Sequence, residues 1–248
     1  MTTFKDHFSN HAADYASYRP GYPPALAAWL GELAPTRKLA LDCGCGTGQF
    51  ACLLGDVFDH VIATDASAEQ IAQAEPHPAV AYHVAPAEDS GLPDGSADLV
   101  TVAQAAHWFD LPTFYQEVRR VLRPAGVLAL ISYGLARVSP EIDAVVQRFY
   151  DGAAAAYWPP ERRHVEDGYA RLNFPFLEIP APNFRMEATW SFQAYSGYLG
   201  TWSAVRHLEQ DQGPTPFHSF LEELEQAWGD PSVIRRITWP LSLRVGQL

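Results

Sequence analysis

Ten residues constrain this chain more than any other stretch: Leu39-Ala40-Leu41-Asp42-Cys43-Gly44-Cys45-Gly46-Thr47-Gly48. A short apolar run ends in an acid, and glycines follow at alternating positions. Phe50, Leu53 and Leu54 then fall at helical spacing. The pattern predicts a buried strand that opens through a glycine turn into a helix. Glycine tolerates positive φ and carries no Cβ, so a backbone built this way lets a ligand approach closely. A second strand, Val61-Ile62-Ala63-Thr64-Asp65, ends in an acid. It lies about twenty residues past the turn, the distance at which such folds place a carboxylate against a ribose.

The nucleotide is not specified by glycine alone. The dinucleotide fingerprint is G-x-G-x-x-G, and here the third glycine arrives one residue early. The P-loop lysine is absent, because Gln49 follows Gly48. With Asp42 at the strand end, the segment resembles the first motif of the class I methyltransferases that use S-adenosylmethionine (SAM). A cofactor without phosphate needs room for a methionine tail, and Cys43 and Cys45 are small enough to occupy the positions between Gly44, Gly46 and the strand. The resemblance extends in order to about residue 135. It implies that Asp65, followed by Ala66, accepts hydrogen bonds from both ribose hydroxyls. Ala87-Glu88-Asp89 resembles the loop beside the adenine, and Arg123-Pro124-Ala125-Gly126 the turn into a fifth strand.

Each acid also has an ordinary reading: Asp42 as a turn cap, Asp65 as a helix cap, Glu88 as a solvated loop residue. Their joint position at the carboxyl ends of successive predicted strands favours a ligand site, since open parallel sheets bind there.

Alternating strands and helices early in the chain predict parallel βαβ units. The expectation is an α/β fold with a Rossmann-like, seven-stranded mixed sheet. A reversed C-terminal hairpin closes it, helices cover both faces, and a helical or irregular cap is added. The chain reads as one domain, 1–248, with an N-terminal cap about 1–34 and a cap insertion about 140–182. Later strands are predicted over 185–192 and 237–245. Between them Tyr195, Tyr198, Leu199, Trp202 and Val205 predict one helix, and Thr215-Pro216 opens another that Gly229 ends.

The fourth strand leads into Gln104-Ala105-Ala106-His107-Trp108-Phe109-Asp110, which should lie beside the transferred methyl group. It lacks the Asn-Pro-Pro-Tyr of adenine-amino methylation and the Pro-Cys of cytosine methylation. His107 is the candidate general base, with a purely local hydrogen-bonding role as the alternative; Gln104 and Trp108 are candidate cofactor contacts. The segment Ala13 to Pro23 and the stretches Trp158-Pro159-Pro160, Phe174-Pro175-Phe176 and Tyr198 to Ala204 are similar to the type 11 group that includes trans-aconitate methyltransferase. That similarity implies that Tyr18 and Arg19 close over SAM, and it makes a carboxylate acceptor plausible. Arg162, Arg163 and Arg206 are candidates to bind such a carboxylate.

The formal net charge of −12 opposes binding to nucleic acid, whose affinity rests on neutralised phosphates. No apolar run approaches the ~20 residues that cross a bilayer, and the first residues do not read as a secretion signal. Three cysteines, clustered in the glycine motif, suit neither paired disulfides nor zinc. The histidine spacings offer no metal site. The expectation is a cytoplasmic, metal-independent enzyme, monomer or homodimer, acting on a small molecule with SAM consumed and S-adenosylhomocysteine released. Two rivals stay open: a SAM-binding sensor without catalysis, and an NAD-dependent oxidoreductase.

Overall fold

The computed structural model describes residues 20–248. The glycine motif lies at the centre of the sheet. Strand β1 (Leu39–Cys43) runs parallel to β2 (His60–Asp65) on one side and to β4 (Ala97–Ala103) on the other. Beyond them lie β3 (Val80–Val84) and β5 (Leu122–Tyr133), also parallel. Strand β4 carries the run Leu99-Val100-Thr101-Val102, buried throughout, as a strand covered on both faces requires.

The reversed end is built differently from the expected hairpin. Strand β8 (Arg235–Gln247) lies antiparallel to β5, from Val127 opposite Gln247 to Tyr133 opposite Leu241. Its other edge pairs with two short strands, β6 (Leu177–Ile179) and β7 (Arg185–Trp190). The sheet thus has eight strands in the order β3-β2-β1-β4-β5-β8-β6, with β7 on β8, rather than seven. The interruption follows from sequence. Pro180-Ala181-Pro182 separates β6 from β7, and a proline has no N–H to give the ladder. Pro240 of β8 stands opposite Arg185 at that junction.

Alternating side chains of the sheet feed two cores. On one face Ala40, Val61, Leu99, Val127 and Ile131 pack with α1 (Pro24–Leu33) and α2 (Gln49–Gly55). On the other, Leu41, Val100, Val102, Leu128 and Leu130 pack with α4 (Leu111–Val121), whose Phe114, Val118 and Val121 form the expected stripe. The short α3 (Ala68–Ala72) follows β2, and the Ser67 hydroxyl caps it by accepting from the Gln70 N–H.

A third core lies outside the sheet. It joins α5 (Pro140–Asp151) to helices that follow β7, with Met186, Ile237 and Trp239 from the extended end of β8 and its partner. The helical spacing after Trp190 is realised as two helices, not one: α7 (Phe192–Gly200) and α8 (Ser203–Gln212). The break is at Thr201-Trp202. The Thr201 hydroxyl donates to the Tyr198 carbonyl at 2.6 Å, and Trp202 adopts an extended backbone that turns the chain into α8. Helix α9 (Thr215–Trp228) then packs on α5 and ends at Gly229, φ +82°. The helical layer therefore draws on 192–228 as much as on the 140–182 segment, which contributes α5 and the short α6 (Arg162–Glu166).

Asp98 holds the entrance of the central strand in register. It is fully buried inside β4. Its carboxylate accepts from the Thr36 hydroxyl at 2.7 Å and from the Lys38 and Leu39 N–H groups at 3.0 Å each. Arg123 lies 3.2 Å from it.

Candidate active site

Three left-handed glycines shape the turn: Gly44 (φ +66°), Gly46 (φ +56°) and Gly48 (φ +87°). Two of them are also sterically required. A Cβ on Gly44 would lie 2.6 Å from the Ala105 methyl, and one on Gly48 would run into the Tyr82 hydroxyl. Gly46 differs, since among the described residues a Cβ there would meet only Gln70 Oε1 at 3.7 Å. The turn is pinned by Cys45 N–H donating to the Thr64 carbonyl and Gly48 N–H to the Cys45 carbonyl, both at 3.0 Å. Gly44 thereby abuts Ala105 and Phe109, so the glycine motif and the segment after β4 meet as expected.

Asp65 accepts from the Gly46 N–H (2.8 Å) and, across Ala66, from the Ser67 N–H (2.9 Å). Its carboxylate thus ties the glycine turn to the start of α3. Each oxygen retains a lone pair.

Asp42 is buried at the end of β1, 1% exposed. Oδ1 accepts from the Thr101 hydroxyl at 2.6 Å, whereas Oδ2 has no partner among the described residues. Burial raises its pKa to about 7; the Thr101 hydrogen bond opposes that rise and the Asp65 charge adds to it. Cys43 and Cys45 follow suit: burial first, then the Asp42 charge, pushes both thiols upward, so they stay neutral.

The other candidates divide. Ala87 is buried in the α4-side core. Glu88, half-buried, accepts at 2.8 Å from the N–H of Asp110, the residue that precedes α4. Gln104 sits at φ +62°, and its amide is closed on the end of β5: Nε2 donates to the Tyr133 carbonyl (2.9 Å) and Oε1 accepts from the Tyr133 N–H (3.1 Å). Gln104 thus joins β4 to β5 at their carboxyl ends. Tyr18 and Arg19 lie outside the described residues.

His107 occupies a 3₁₀ turn, Ala106–Trp108, with the Trp108 ring 4.7 Å from its own. Nδ1 lies 2.9 Å from the hydroxyl of Tyr169, a residue the sequence gave no reason to single out. Burial, then the positive charge of Arg162 and then His164, lowers the imidazole pKa to about 3.

Arg162 opens α6 beside this group. Its guanidinium carbon lies 4.9 Å from the Trp158 ring centroid and 5.9 Å from that of Tyr150, and Nε donates to the Tyr150 hydroxyl at 3.1 Å. Tyr150 in turn donates to Glu166 at 2.5 Å. Trp202 closes the corner, 5.5 Å from Trp158. Among the described residues no carboxylate lies within ion-pair distance of Arg162, in contrast to Arg120, Arg123 and Arg244. Arg163 is exposed, and Arg206 is half-buried on α8. The aromatic spacing showed that this region packs; it carried no sign that an arginine would be packed with it.

A family model described as a methyltransferase domain matches residues 41–130. A protein of Dictyostelium discoideum that carries a methyltransferase name is 34% identical over 241 residues, 94% of this chain and 92% of that protein. A solved structure from Anaeromyxobacter dehalogenans, described as a type II methyltransferase, is 52% identical with a TM-score of 0.88, covering 93% of this chain and 98% of its own. The Bacillus subtilis YcgJ protein shares the fold at 18% identity, with a TM-score of 0.50 over 90% of this chain and 97% of its own.

Proposed function

The chain belongs to the class I S-adenosylmethionine-dependent methyltransferases, and from that premise we propose that it methylates an oxygen of a small molecule bearing a carboxylate. The cofactor supplies an electrophilic methyl group on a sulfonium. The residues present fit it. The orphan Asp42 Oδ2 is a buried acceptor suited to an ammonium, the open side of Gly46 leaves room for a tail, and Asp65 is free to accept further hydrogen bonds. Asp42 and the glycine turn would hold the amino-acid end and Asp65 the ribose. Ala87, Glu88 and Trp108 would border the base.

The observation that carries the acceptor class is Arg162. A half-buried guanidinium with no carboxylate partner among the described residues, stacked in an aromatic corner near His107, is a seat for an anion. Its planar fork matches a carboxylate in a bidentate pair, and Trp158 and Trp202 offer an apolar wall for the rest of the molecule. His107 supports the same reading. A group that binds a proton only near pH 3 does not remove one from a hydroxyl at neutral pH. A carboxylate arrives already ionised and asks only for alignment and exclusion of water.

The test is methylation of matched acids, alcohols and amines with labelled SAM, followed by alkaline release of methyl ester. Arg162→Gln should raise KM for acids about 10–100-fold, the loss of one or two charge-assisted hydrogen bonds, with affinity for S-adenosylhomocysteine unchanged. Turnover of neutral acceptors with none of acids would overturn the acceptor class. SAM binding with no turnover of any acceptor would identify a sensor, and NAD binding in place of SAM an oxidoreductase.

A further inference from the structure

The segment from α6 to residue 172 is held against the sheet with unusual firmness. Gly168 and Tyr169 are consecutive left-handed residues, φ +62° and +65°, and only the first is a glycine. Gly168 is pressed onto Ser242 of β8, where a Cβ would stand 2.5 Å from the hydroxyl oxygen. Tyr169 N–H donates to the His164 carbonyl at 2.7 Å. Arg244 of β8 donates from one nitrogen to the carbonyls of Tyr169 (3.2 Å) and Leu172 (2.6 Å). A tyrosine kept in a left-handed conformation by this many partners marks a position where side-chain placement outweighs backbone preference.

That side chain is fully buried and reaches His107. Among the described residues the phenol oxygen has one hydrogen-bond partner, Nδ1 of His107 at 2.9 Å. A phenol has a single proton to give, and burial keeps that proton from water. Were Nδ1 protonated instead, it would donate to the phenol oxygen, and the buried phenol proton would lack an acceptor.

We infer that Tyr169 is a positioning residue: its hydroxyl donates to Nδ1 of His107 and so fixes the ring proton on Nε2, making His107 a neutral hydrogen-bond donor rather than a base. The groups facing the ring are consistent with a neutral imidazole. Arg162 and His164 disfavour a second proton, and the phenol itself is held protonated by burial. The tautomer stands independently of the substrate. Its use, orienting one oxygen of the acceptor carboxylate while Arg162 takes the charge, rests on the function proposed above.

Long-range proton–nitrogen correlation spectra of the ¹⁵N-histidine-labelled full chain, without substrate, test the assignment. His107 should show the Nε2–H pattern unchanged from pH 5.5 to 8.5. A Nδ1–H pattern, or a titration near the ordinary histidine value, would overturn it. In Tyr169→Phe the ring should become a mixture of tautomers, and an unchanged Nε2–H pattern in that folded variant would remove Tyr169 from the account. Substitution at the ring separates donor from base. Glutamine places an amide donor where Nε2 stood and asparagine where Nδ1 stood, so His107→Gln should be at least about tenfold more active than His107→Asn, the worth of one hydrogen bond. Equal loss in the two would overturn the donor role. Because the spectra need no turnover, failure of the acceptor class and failure of the tautomer are separate results.

Discussion

Asp42 is expected to destabilise the empty protein at the pH where it works. Its carboxyl carries one hydrogen bond and one orphan oxygen in a fully buried site, and its pKa rises from the ordinary 3.8 to about 7. A raised carboxyl pKa means that the native state holds the proton more tightly than the unfolded chain does. The associated stability is fully present below pH 3.8 and is lost as pH rises toward 7 and past it. At about 1.4 kcal/mol per pH unit the full loss is about 4 kcal/mol, and about 3 kcal/mol of it falls between pH 5 and pH 8. Asp42→Asn removes the titration. The new amide keeps an acceptor for Thr101 but leaves an orphan N–H₂ in place of Oδ2, a cost of about 1–3 kcal/mol at every pH. Urea unfolding of both proteins without cofactor, at pH 5 and pH 8, isolates the titrating part. Between the two pH values Asp42→Asn should gain about 3 kcal/mol on the wild type. Saturating S-adenosylhomocysteine should then stabilise the wild type at pH 8 and leave Asp42→Asn almost unmoved, because ligand bound to the native state adds its binding free energy. An equal difference at both pH values would refute the reasoning, since it would mean that Asp42 is ionised throughout or already compensated.

Asp65→Ala should weaken S-adenosylhomocysteine binding at least about tenfold by calorimetry, from lost bonds of about 1.5–3 kcal/mol each; an unchanged constant in a folded variant would reduce Asp65 to its bonds with Gly46 and Ser67. Gly48→Ala should lower Tm by about 4–8 °C, since a left-handed Cβ and a collision with Tyr82 together cost about 2 kcal/mol or more. Asp98→Ala should cost about 3–5 kcal/mol in urea unfolding, because it leaves Arg123 and the Lys38 and Leu39 N–H groups without their buried partner; a loss below about 1 kcal/mol would show that water replaces the carboxylate.

The parts of this molecule that were legible in the sequence are those governed by local rules. Alternating glycines after an apolar run, the Ser67 cap, Ser139 before Pro140 and Gly229 after an apolar stripe each leave a local trace, and the corresponding elements lie where they were expected. What escaped depends on distant partners. The short strand Leu177–Ile179 was not expected, and Pro180 and Pro182 set it apart from the strand that follows. Helical spacing from Tyr195 to Val205 is uninterrupted in sequence because a broken helix and a straight one bury the same aromatics. Gln104 was read as a ligand contact, and its two bonds to the Tyr133 backbone cross a sheet pairing that spacing does not reveal. Tyr169 was missed for the same reason. Nothing near it in sequence announces a left-handed tyrosine aimed at His107 from another element.

The shared strand β8 has a consequence for how the molecule comes into being. It pairs along one edge with β5 and along the other with both β6 and β7, and its Gln247 side chain reaches Ala125, 122 residues away in sequence. Contacts so distant pay their loop-closure entropy before they return anything, so β8 is expected to dock late, after the parallel strands around the glycine turn have condensed. Until it docks, β5 presents a bare edge and the helices of the third core have no sheet to rest on. The reversed end of the sheet and the seating of the third core are therefore completed in one event, and a folding chain halted before it keeps the parallel strands around the glycine turn beside an open, apolar flank that is exposed to aggregation.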